Sequence, residues 1–339
     1  MSSALNLLER NNASVNPFSR PQTPAEKHRI AFVGIGAMGY FMARNLAQSQ
    51  SIPLLIWNRS PAKAEALLAE LGPGRIRIAK DLGEVARESD VIITNLANDK
   101  AVEEVYEEMV KALKSEIYPA LAGELEKLLD PLPHATLITA QVFGAPAAAD
   151  VAQLLIVTSG DHRAKAEIAH LFVPAVGRKI VDLGGNVEKA PTLKLIGNAM
   201  IFGCAEVIGE TFTLSEKAGI GAEQALDLVQ DLFPVPAITN FAEKMASDNF
   251  DGRTGFAIDG GIKDVQHMRR LTTAHSSPMP VIDIVHQHMI TARALHAQPA
   301  NQHHEILDTS AMVAGIRVAA GLDGFDSQKH VGVVRPQGK

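Results

Sequence analysis

A glycine-rich turn between an apolar run and a helical segment constrains the fold of this chain most. Arg29–Val33 (RIAFV) is a short apolar run, and Gly34-Ile-Gly36-Ala-Met-Gly39 follows it at once. Tyr40–Gln50 has helical composition, and Pro53–Trp57 (PLLIW) is predicted to form a second strand. This spacing of glycines inside a strand–turn–helix–strand unit is typical of a pyrophosphate-binding turn in a doubly wound α/β domain.

The remaining pattern predicts two domains. Further strand-like runs lie at 76–79, 90–94, 135–140, 153–158 and 179–183. Because strands that are apolar on both faces alternate with helices, they predict a parallel sheet covered on both sides. Beyond Pro191 we find only helical segments. We therefore expect a flexible tail at 1–28, a Rossmann-like domain at 29–189 and an all-helical domain at 190–330, joined by a long helix over 191–217.

Composition excludes several classes of protein. Of the 339 residues 46% are hydrophobic and 21% are charged, which excludes wholesale disorder, and the formal net charge of −6 gives nucleic acid no basic surface. The single cysteine, Cys204, excludes a disulfide scaffold, and we expect it to be a core residue. No pair of histidines has the i, i+4 spacing of a helical zinc site, so we expect no metal.

Neither the apolar segments nor the N-terminus predicts a membrane protein. Residues 131–149 carry no charged side chain, but their three prolines predict a buried strand and turn instead of a membrane span. The first 28 residues lack the apolar region of a secretory signal. Glu9 and Glu26 also disfavour a mitochondrial presequence, so we expect a cytoplasmic protein, with the mitochondrial matrix as the minority alternative.

The end of the second strand predicts the choice of cofactor. Dinucleotide-binding domains that take NAD place Asp or Glu there to bind the ribose 2′-hydroxyl, whereas this chain has Asn58-Arg59-Ser60. Arg59 can pair with a 2′-phosphate, so we expect NADP(H); the alternative is that Arg59 is a solvated loop residue. Ser60 also caps the helix predicted over 61–71. The candidate cofactor-binding residues are Gly34, Ile35, Gly36, Ala37, Met38, Gly39, Asn58, Arg59, Ser60, Leu96 and Ala97.

A lysine on the long apolar helix is the candidate catalytic residue. Lys194 and Asn198 are four residues apart and therefore share one face of the helix. An ammonium in apolar surroundings is costly, which makes Lys194 a candidate acid that protonates a carbonyl oxygen during reduction, or the base in the reverse reaction. The alternative is a lysine that extends its charge to solvent from the start of the helix.

Taken together, these motifs resemble those of the β-hydroxyacid dehydrogenase family, which includes 3-hydroxyisobutyrate dehydrogenase and is related to 6-phosphogluconate dehydrogenase. The Gly-x-Gly-x-Met-Gly turn, the Asn-Arg-Ser tripeptide and the Lys-x-x-x-Asn pair of the long helix carry this resemblance. Residues 137–161 and the Gly-Gly-Ile-Lys-Asp segment that ends at Asp264 also match. The resemblance covers about residues 29–325.

The resemblance implies a role for each matching residue. Lys194 would be the acid/base, and Asn198 would contact the substrate. Lys263 would lie over the nicotinamide and substrate end of the cleft, and Gly144, in a turn that binds a carboxylate in the family, would contact the substrate. It also implies a homo-oligomer, a homodimer in the simplest case, formed through the helical domain.

Two departures from the family pattern affect the expected substrate and sheet. Phe143 stands where the family has a serine, which favours a bulkier or less polar substrate such as an oxo acid or an imine. Between Thr94 and Ala135 we find no strand run, so the first domain is expected to be one strand short near 109–118.

We therefore expect an NADPH-dependent oxidoreductase that transfers hydride between the nicotinamide and a carbonyl or hydroxyl carbon. Two alternatives remain open, an imine reductase of related fold and a non-catalytic NADPH-binding protein. In each of these interpretations we expect the protein to bind a small molecule and neither nucleic acid nor a membrane.

Overall fold

The chain forms two compact units whose division falls between Lys194 and Leu195. The computed structural model describes residues 16–18, 28–113, 122–129, 132, 135–253 and 255–330. In the first unit the strands are β1 (Ile30–Val33), β2 (Leu54–Trp57), β3 (Ile76–Ile78), β4 (Val91–Thr94), β5 (Ile138–Phe143), β6 (Leu154–Gly160) and β7 (Gly177–Asp182). Its helices are α1 (Ala37–Ser49), α2 (Pro61–Leu71), α3 (Leu82–Glu88), α4 (Asp99–Leu113), α5 (Ala122–Leu129), α6 (Pro146–Asp150) and α7 (His162–Phe172). Helix α8 (Lys189–Lys217) begins in the first unit and continues into the second.

Strands β1 to β4 form a parallel sheet in the order β3-β2-β1-β4. Alternate residues of β1 enter two different apolar clusters: Phe32 packs in the cluster that contains Met42 of α1, and Val33 in the cluster that contains Leu82 of α3. Because successive side chains of a strand point to opposite faces, helices cover this sheet on both sides. The predicted doubly wound α/β architecture is confirmed.

A second sheet has the order β5-β6-β7, and its first pair is antiparallel. The β5–β6 pair thus differs from the other pairs of described strands, which are parallel. The strand predicted at 135–140 begins later, because its pairing with β6 starts at Ile138, opposite Gly160. All six residues of β5 are half-buried, where the sequence predicted a buried strand. The predicted strands at 153–158 and 179–183 correspond to β6 and β7.

A buried lysine ties α7 to the end of β7. The side chain of Lys165 is 1% exposed, and its ammonium donates hydrogen bonds to Asp182 at 2.5 Å and to the carbonyl oxygen of Gly184 at 2.8 Å. Although burial opposes the shift, the hydrogen bonds from Lys165 and from the Gly184 amide lower the pKa of Asp182 below its ordinary value. This pair satisfies a charge that would otherwise be costly to bury.

Two predictions lie partly outside the described residues. Of the region expected to lack a strand, 109–113 belongs to α4, whereas 114–118 is not described, so the prediction of a missing strand stays a prediction. Among the described strands, β4 is an edge strand of the first sheet, and β5, the next strand along the chain, is an edge strand of the second. Most of the predicted tail is likewise not described, but Phe18 is 9% exposed and packs in the core of the first unit.

The second unit contains helices and short 3-10 turns in its described part. These helices are α9 (Ala222–Leu232), α10 (Pro236–Ala246), α11 (Ile258–Ala274), α12 (Pro280–His296) and α13 (Val313–Ala319), together with the rest of α8. Their apolar faces form a common core, at whose edge the fully buried Arg317 pairs with Glu216 at 2.8 Å and Asp248 at 2.6 Å. The predicted helical domain is confirmed.

Helix α8 is the described helix whose length and composition would suffice to cross a membrane. The core helix of a soluble protein would pass the same test. In this structure 39% of the most apolar window of α8 is buried.

Candidate cofactor and catalytic site

The glycine turn folds so tightly that two of its glycines have no room for a side chain. Gly34 has a φ of +100°, and a Cβ on it would overlap the carbonyl oxygen of Asn95, which follows β4. A Cβ on Gly39 would overlap the carbonyl oxygen of Gly34. These contacts bring the ends of β1 and β4 and the first turn of α1 together, and the tight turn and the close helix–strand packing both require glycine.

Gly36 differs from its neighbours because it faces open space. A Cβ built on it would meet no atom within 4 Å. Gly36 is also the N-cap of α1, and no side chain caps this helix. The first amide groups of a helix lack partners within the helix and carry the positive end of its dipole. An uncapped helix start beside open space suits the pyrophosphate of a dinucleotide.

The other predicted turn residues have distinct environments. Ala37 is exposed and Met38 is half-buried. The side chain of Ile35 is fully buried in the core, and its amide donates a 2.9 Å hydrogen bond to Oδ1 of Asn58. Because its side chain is buried and its amide is already bonded, a ligand can contact Ile35 only at the remaining backbone atoms of this residue.

Asn58 connects the end of β2 to the glycine turn. Besides accepting from Ile35, it donates a 2.8 Å hydrogen bond through Nδ2 to the carbonyl oxygen of Ser60. Ser60 occupies the N-cap of α2 as predicted, although its side chain makes no capping hydrogen bond. Asn58 thus holds the loop that carries Arg59 against the turn.

Arg59 extends from this loop towards α4. Its side chain is 83% exposed, and its Nη1 lies 3.9 Å from Oε2 of Glu104. The other oxygen of Glu104 lies 3.8 Å from the ammonium of Lys100. No local pattern in the sequence points to the proximity of Glu104 and Arg59, since the i, i+4 spacing of Lys100 and Glu104 predicts only that these two side chains are neighbours on one helix.

The residues that follow β4 border the turn from the other side. Leu96 is partly buried against the apolar cluster that contains Val33, and its Cδ2 would be 3.2 Å from a Cβ on Gly34. Ala97 is exposed. Nearby, the hydroxyls of Thr94 and Tyr106 lie 3.3 Å apart, and burial raises the pKa of Tyr106 above its ordinary value.

Lys194 meets the end of β5, within the first unit. Its ammonium donates a 2.8 Å hydrogen bond to the carbonyl oxygen of Val142 and lies 4.4 Å from the centroid of the Phe143 ring. Gly144 follows with a φ of +141°, and Leu154 leaves too little room there for a Cβ. The structure therefore brings three of the predicted site residues, Lys194, Phe143 and Gly144, together. Gln141–Phe143, which lie beyond the strand predicted at 135–140, also belong to β5.

Two predicted substrate residues meet in the second unit. Asn198 is 8% exposed, and its Nδ2 donates a 2.9 Å hydrogen bond to Asp264. The same carboxylate lies 3.3 Å from the ammonium of Lys263. Asp264 thereby orients both side chains, a role that the sequence motif did not reveal.

Cys204 and the charged side chains complete the description of the candidate site residues. Cys204 is exposed, so its prediction as a core residue is wrong: α8 is apolar on most sides, and one of these sides is uncovered in this chain. Within the described ranges no group of three His, Cys, Asp or Glu side chains is placed to hold a metal ion.

Comparisons with known proteins agree with this geometry. Residues 29–185 match the family model of the NAD binding domain of 6-phosphogluconate dehydrogenase. Residues 189–310 match the family model described as NAD-binding of NADP-dependent 3-hydroxyisobutyrate dehydrogenase. The chain is 25% identical over 296 residues to the NADH-dependent oxidoreductase ucdB of Aspergillus ustus, covering 84% of this chain and 98% of that protein.

Two solved structures share the fold. The 3-hydroxyisobutyrate dehydrogenase of Mycobacterium tuberculosis, determined with L-serine, is 23% identical and superposes with a TM-score of 0.66 over 86% of this chain and all (100%) of that one. An imine reductase from Myxococcus stipitatus in complex with NADP+ is 19% identical, with a TM-score of 0.53 over 85% of this chain and 99% of that one.

A Rossmann-like domain with a pyrophosphate-binding turn, followed by a helical domain, defines an NAD(P)-dependent oxidoreductase. Within this class the chain belongs to the β-hydroxyacid dehydrogenase family.

Proposed function

We propose that this protein is an NADPH-dependent oxidoreductase that acts on a carbonyl or hydroxyl carbon of an oxo-acid- or hydroxy-acid-like substrate, with Lys194 as the acid/base. The observation that carries the proposal is the contact of the Lys194 ammonium with the Val142 carbonyl oxygen and the Phe143 ring, at 2.8 Å and 4.4 Å. Both partners attract a cation.

The two contacts hold the Lys194 ammonium at the end of β5, beside Gly144. When bound, the nicotinamide supplies or accepts a hydride. Lys194 then delivers a proton from Nζ to the carbonyl oxygen as negative charge develops there, and it recovers the proton in the reverse direction. Because the Val142 carbonyl cannot give up a proton, it positions the ammonium without competing as an acid. Asn198 and Lys263 contact the substrate, as their matches in the family do.

The substrate end of the site is less polar than in the family pattern. Phe143 supplies an aromatic ring where that pattern has a serine hydroxyl, so the substrate carries an apolar group beside the reacting carbon. This feature also favours the second candidate, reduction of an imine, whereas the retention of a lysine at 194 favours the carbonyl substrate.

The preference for NADPH over NADH rests on Arg59 and on the absence of a carboxylate at Asn58. The uncapped start of α1 beside Gly36 binds the pyrophosphate, and the Arg59 guanidinium binds the 2′-phosphate. Leu96 and Ala97 border the same site.

A homo-oligomer formed through the helical domain completes the proposal. Four large apolar side chains of α8 are exposed between 44% and 69% and lie on one helix face; they are Ile196, Met200, Val207 and Leu214. A second copy of this chain covers this face, because a run of exposed apolar side chains of this length is unusual on a monomer surface.

The test measures NADPH oxidation by the wild type and by Lys194→Ala with a panel of oxo acids, aldehydes and cyclic imines. We expect a loss of at least about 100-fold in kcat for Lys194→Ala, with NADPH binding retained. Lys189→Ala, which removes the same charge from the exposed first residue of α8, is the matched control and should keep full activity. Equal turnover by Lys194→Ala would remove the proposed acid, and turnover of imines alone would favour the second candidate.

A further inference from the structure

A carboxylate of α4 occupies the space between two cations beside the proposed cofactor site. Oε2 of Glu104 lies 3.9 Å from the Arg59 guanidinium, and Oε1 lies 3.8 Å from the Lys100 ammonium. Both distances exceed hydrogen-bond length, and the side chain of Glu104 is 53% exposed. Exposed pairs of this kind contribute little to stability and exchange partners easily.

This arrangement resembles the one that a phosphate monoester would make. A phosphate presents several oxygens to two cations, as the two oxygens of Glu104 do here, but it carries a larger negative charge. A 2′-phosphate therefore displaces the Glu104 carboxylate from Arg59 and Lys100. The displaced carboxylate stays attached to α4 nearby, where it repels the phosphate and weakens its binding.

A ribose 2′-hydroxyl has the opposite relation to Glu104. It can donate a hydrogen bond to a carboxylate, the contact that Asp or Glu at the end of β2 makes in domains that take NAD. This chain has no carboxylate at Asn58, but Glu104 places one against the neighbouring Arg59 from another helix.

We propose that Glu104 is a specificity-determining residue that admits NADH beside NADPH, while Lys100 joins Arg59 in binding the 2′-phosphate. This inference rests on the proposed function, since it assumes that Arg59 faces the 2′ position of the cofactor. It predicts that a neutral residue at position 104 increases the preference for NADPH over NADH.

The experiment measures the dissociation constants of NADPH and NADH by isothermal titration calorimetry on the whole protein. Glu104→Gln should raise the ratio of NADH to NADPH dissociation constants by about fivefold at low salt, and the increase should shrink at high salt. The matched control is Glu108→Gln, which removes the same charge one turn further along α4 and should leave the ratio near that of the wild type. Lys100→Gln should weaken NADPH and leave NADH unchanged.

The outcomes separate this inference from the proposed function. If Glu104→Gln and Glu108→Gln change the ratio equally, the inference is wrong, because the effect is then one of overall charge. If Arg59→Ala binds NADPH as tightly as the wild type, the proposed 2′-phosphate site itself is wrong. A selective change with Glu104→Gln, together with a loss of NADPH affinity in Arg59→Ala, supports both.

Discussion

Gly36 and Gly39 belong to the same turn, yet we expect an alanine at each to damage a different property. A Cβ on Gly39 would overlap the Gly34 carbonyl oxygen and lie 3.4 Å from the ring of the fully buried Phe32. Helix α1 must then move away from the sheet, which costs about 1–3 kcal/mol of stability, as other overpacked sites do.

Alanine at Gly36 should leave the free energy of unfolding nearly unchanged. Its φ of −82° and ψ of −166° are accessible to alanine, and the added methyl meets no atom within 4 Å. Alanine is a poorer N-cap than glycine, which lowers the stability by about 0.5–1 kcal/mol. It also restricts the unfolded chain, which raises the stability by about 0.4–1 kcal/mol. The two effects offset each other.

The same methyl should weaken cofactor binding, because it enters the open space in front of the uncapped helix. A pyrophosphate kept away from the amide groups loses charge-assisted hydrogen bonds, so we expect an affinity for NADPH at least about tenfold lower, or ~1.4 kcal/mol. Gly74→Ala, at another open glycine of the first unit, is the control and should change neither property.

Urea unfolding followed by circular dichroism gives the stability, and calorimetric titration gives the affinity. The quenching or enhancement of Trp57 fluorescence by NADPH gives a second measure of binding, since Trp57 is two residues from Arg59. The reasoning is refuted if Gly36→Ala binds NADPH like the wild type, or if it loses as much stability as Gly39→Ala.

Two further predictions concern the core and the assembly. Asp182→Asn leaves the ammonium of the buried Lys165 without its counter-charge and should cost about 3 kcal/mol in urea unfolding. Because folding lowers the pKa of Asp182, the contribution of this carboxylate to stability is complete above about pH 4 and is lost as the pH falls through the lowered pKa. The stability of Asp182→Asn should therefore fall less steeply than that of the wild type in this pH range. An equal slope would contradict the assignment. Leu214→Glu, at a side chain that is 69% exposed, should shift the protein to a smaller species in light scattering without lowering the Tm measured at low protein concentration. An unchanged mass would contradict the proposed interface.

Local sequence patterns predicted the elements whose signals lie in adjacent residues. The glycine turn, the strand before it and the helix that starts at Pro61 have local causes: positive φ, a run of apolar residues buried on both faces and a proline at the first helical position. The predicted helix over 191–217 differs from α8 only by two residues at its start.

The exposure and the partners of individual side chains could not be predicted in this way, because they depend on contacts between residues that are distant in sequence. Cys204 lies on a helix that is apolar on most sides, and composition alone does not tell which side the rest of the chain covers. The start of β5 depends on its pairing with β6, about 20 residues away. Likewise, Glu104 comes near Arg59 through the fold, in which Leu55 of β2 and Val105 of α4 belong to one apolar cluster.

The contacts of Asn58 show why the residue type at this one position does not decide the cofactor preference. Its amide group accepts from Ile35 of the glycine turn and donates to Ser60 of the loop, so both of its functional atoms are already used. Aspartate at this position would keep the first hydrogen bond, but it would set a carboxylate oxygen against the Ser60 carbonyl oxygen, with no proton between them. The loop therefore requires a donor where domains that take NAD place an acceptor, and in the proposed site discrimination at the ribose falls to Arg59 for a phosphate and to Glu104 for a hydroxyl.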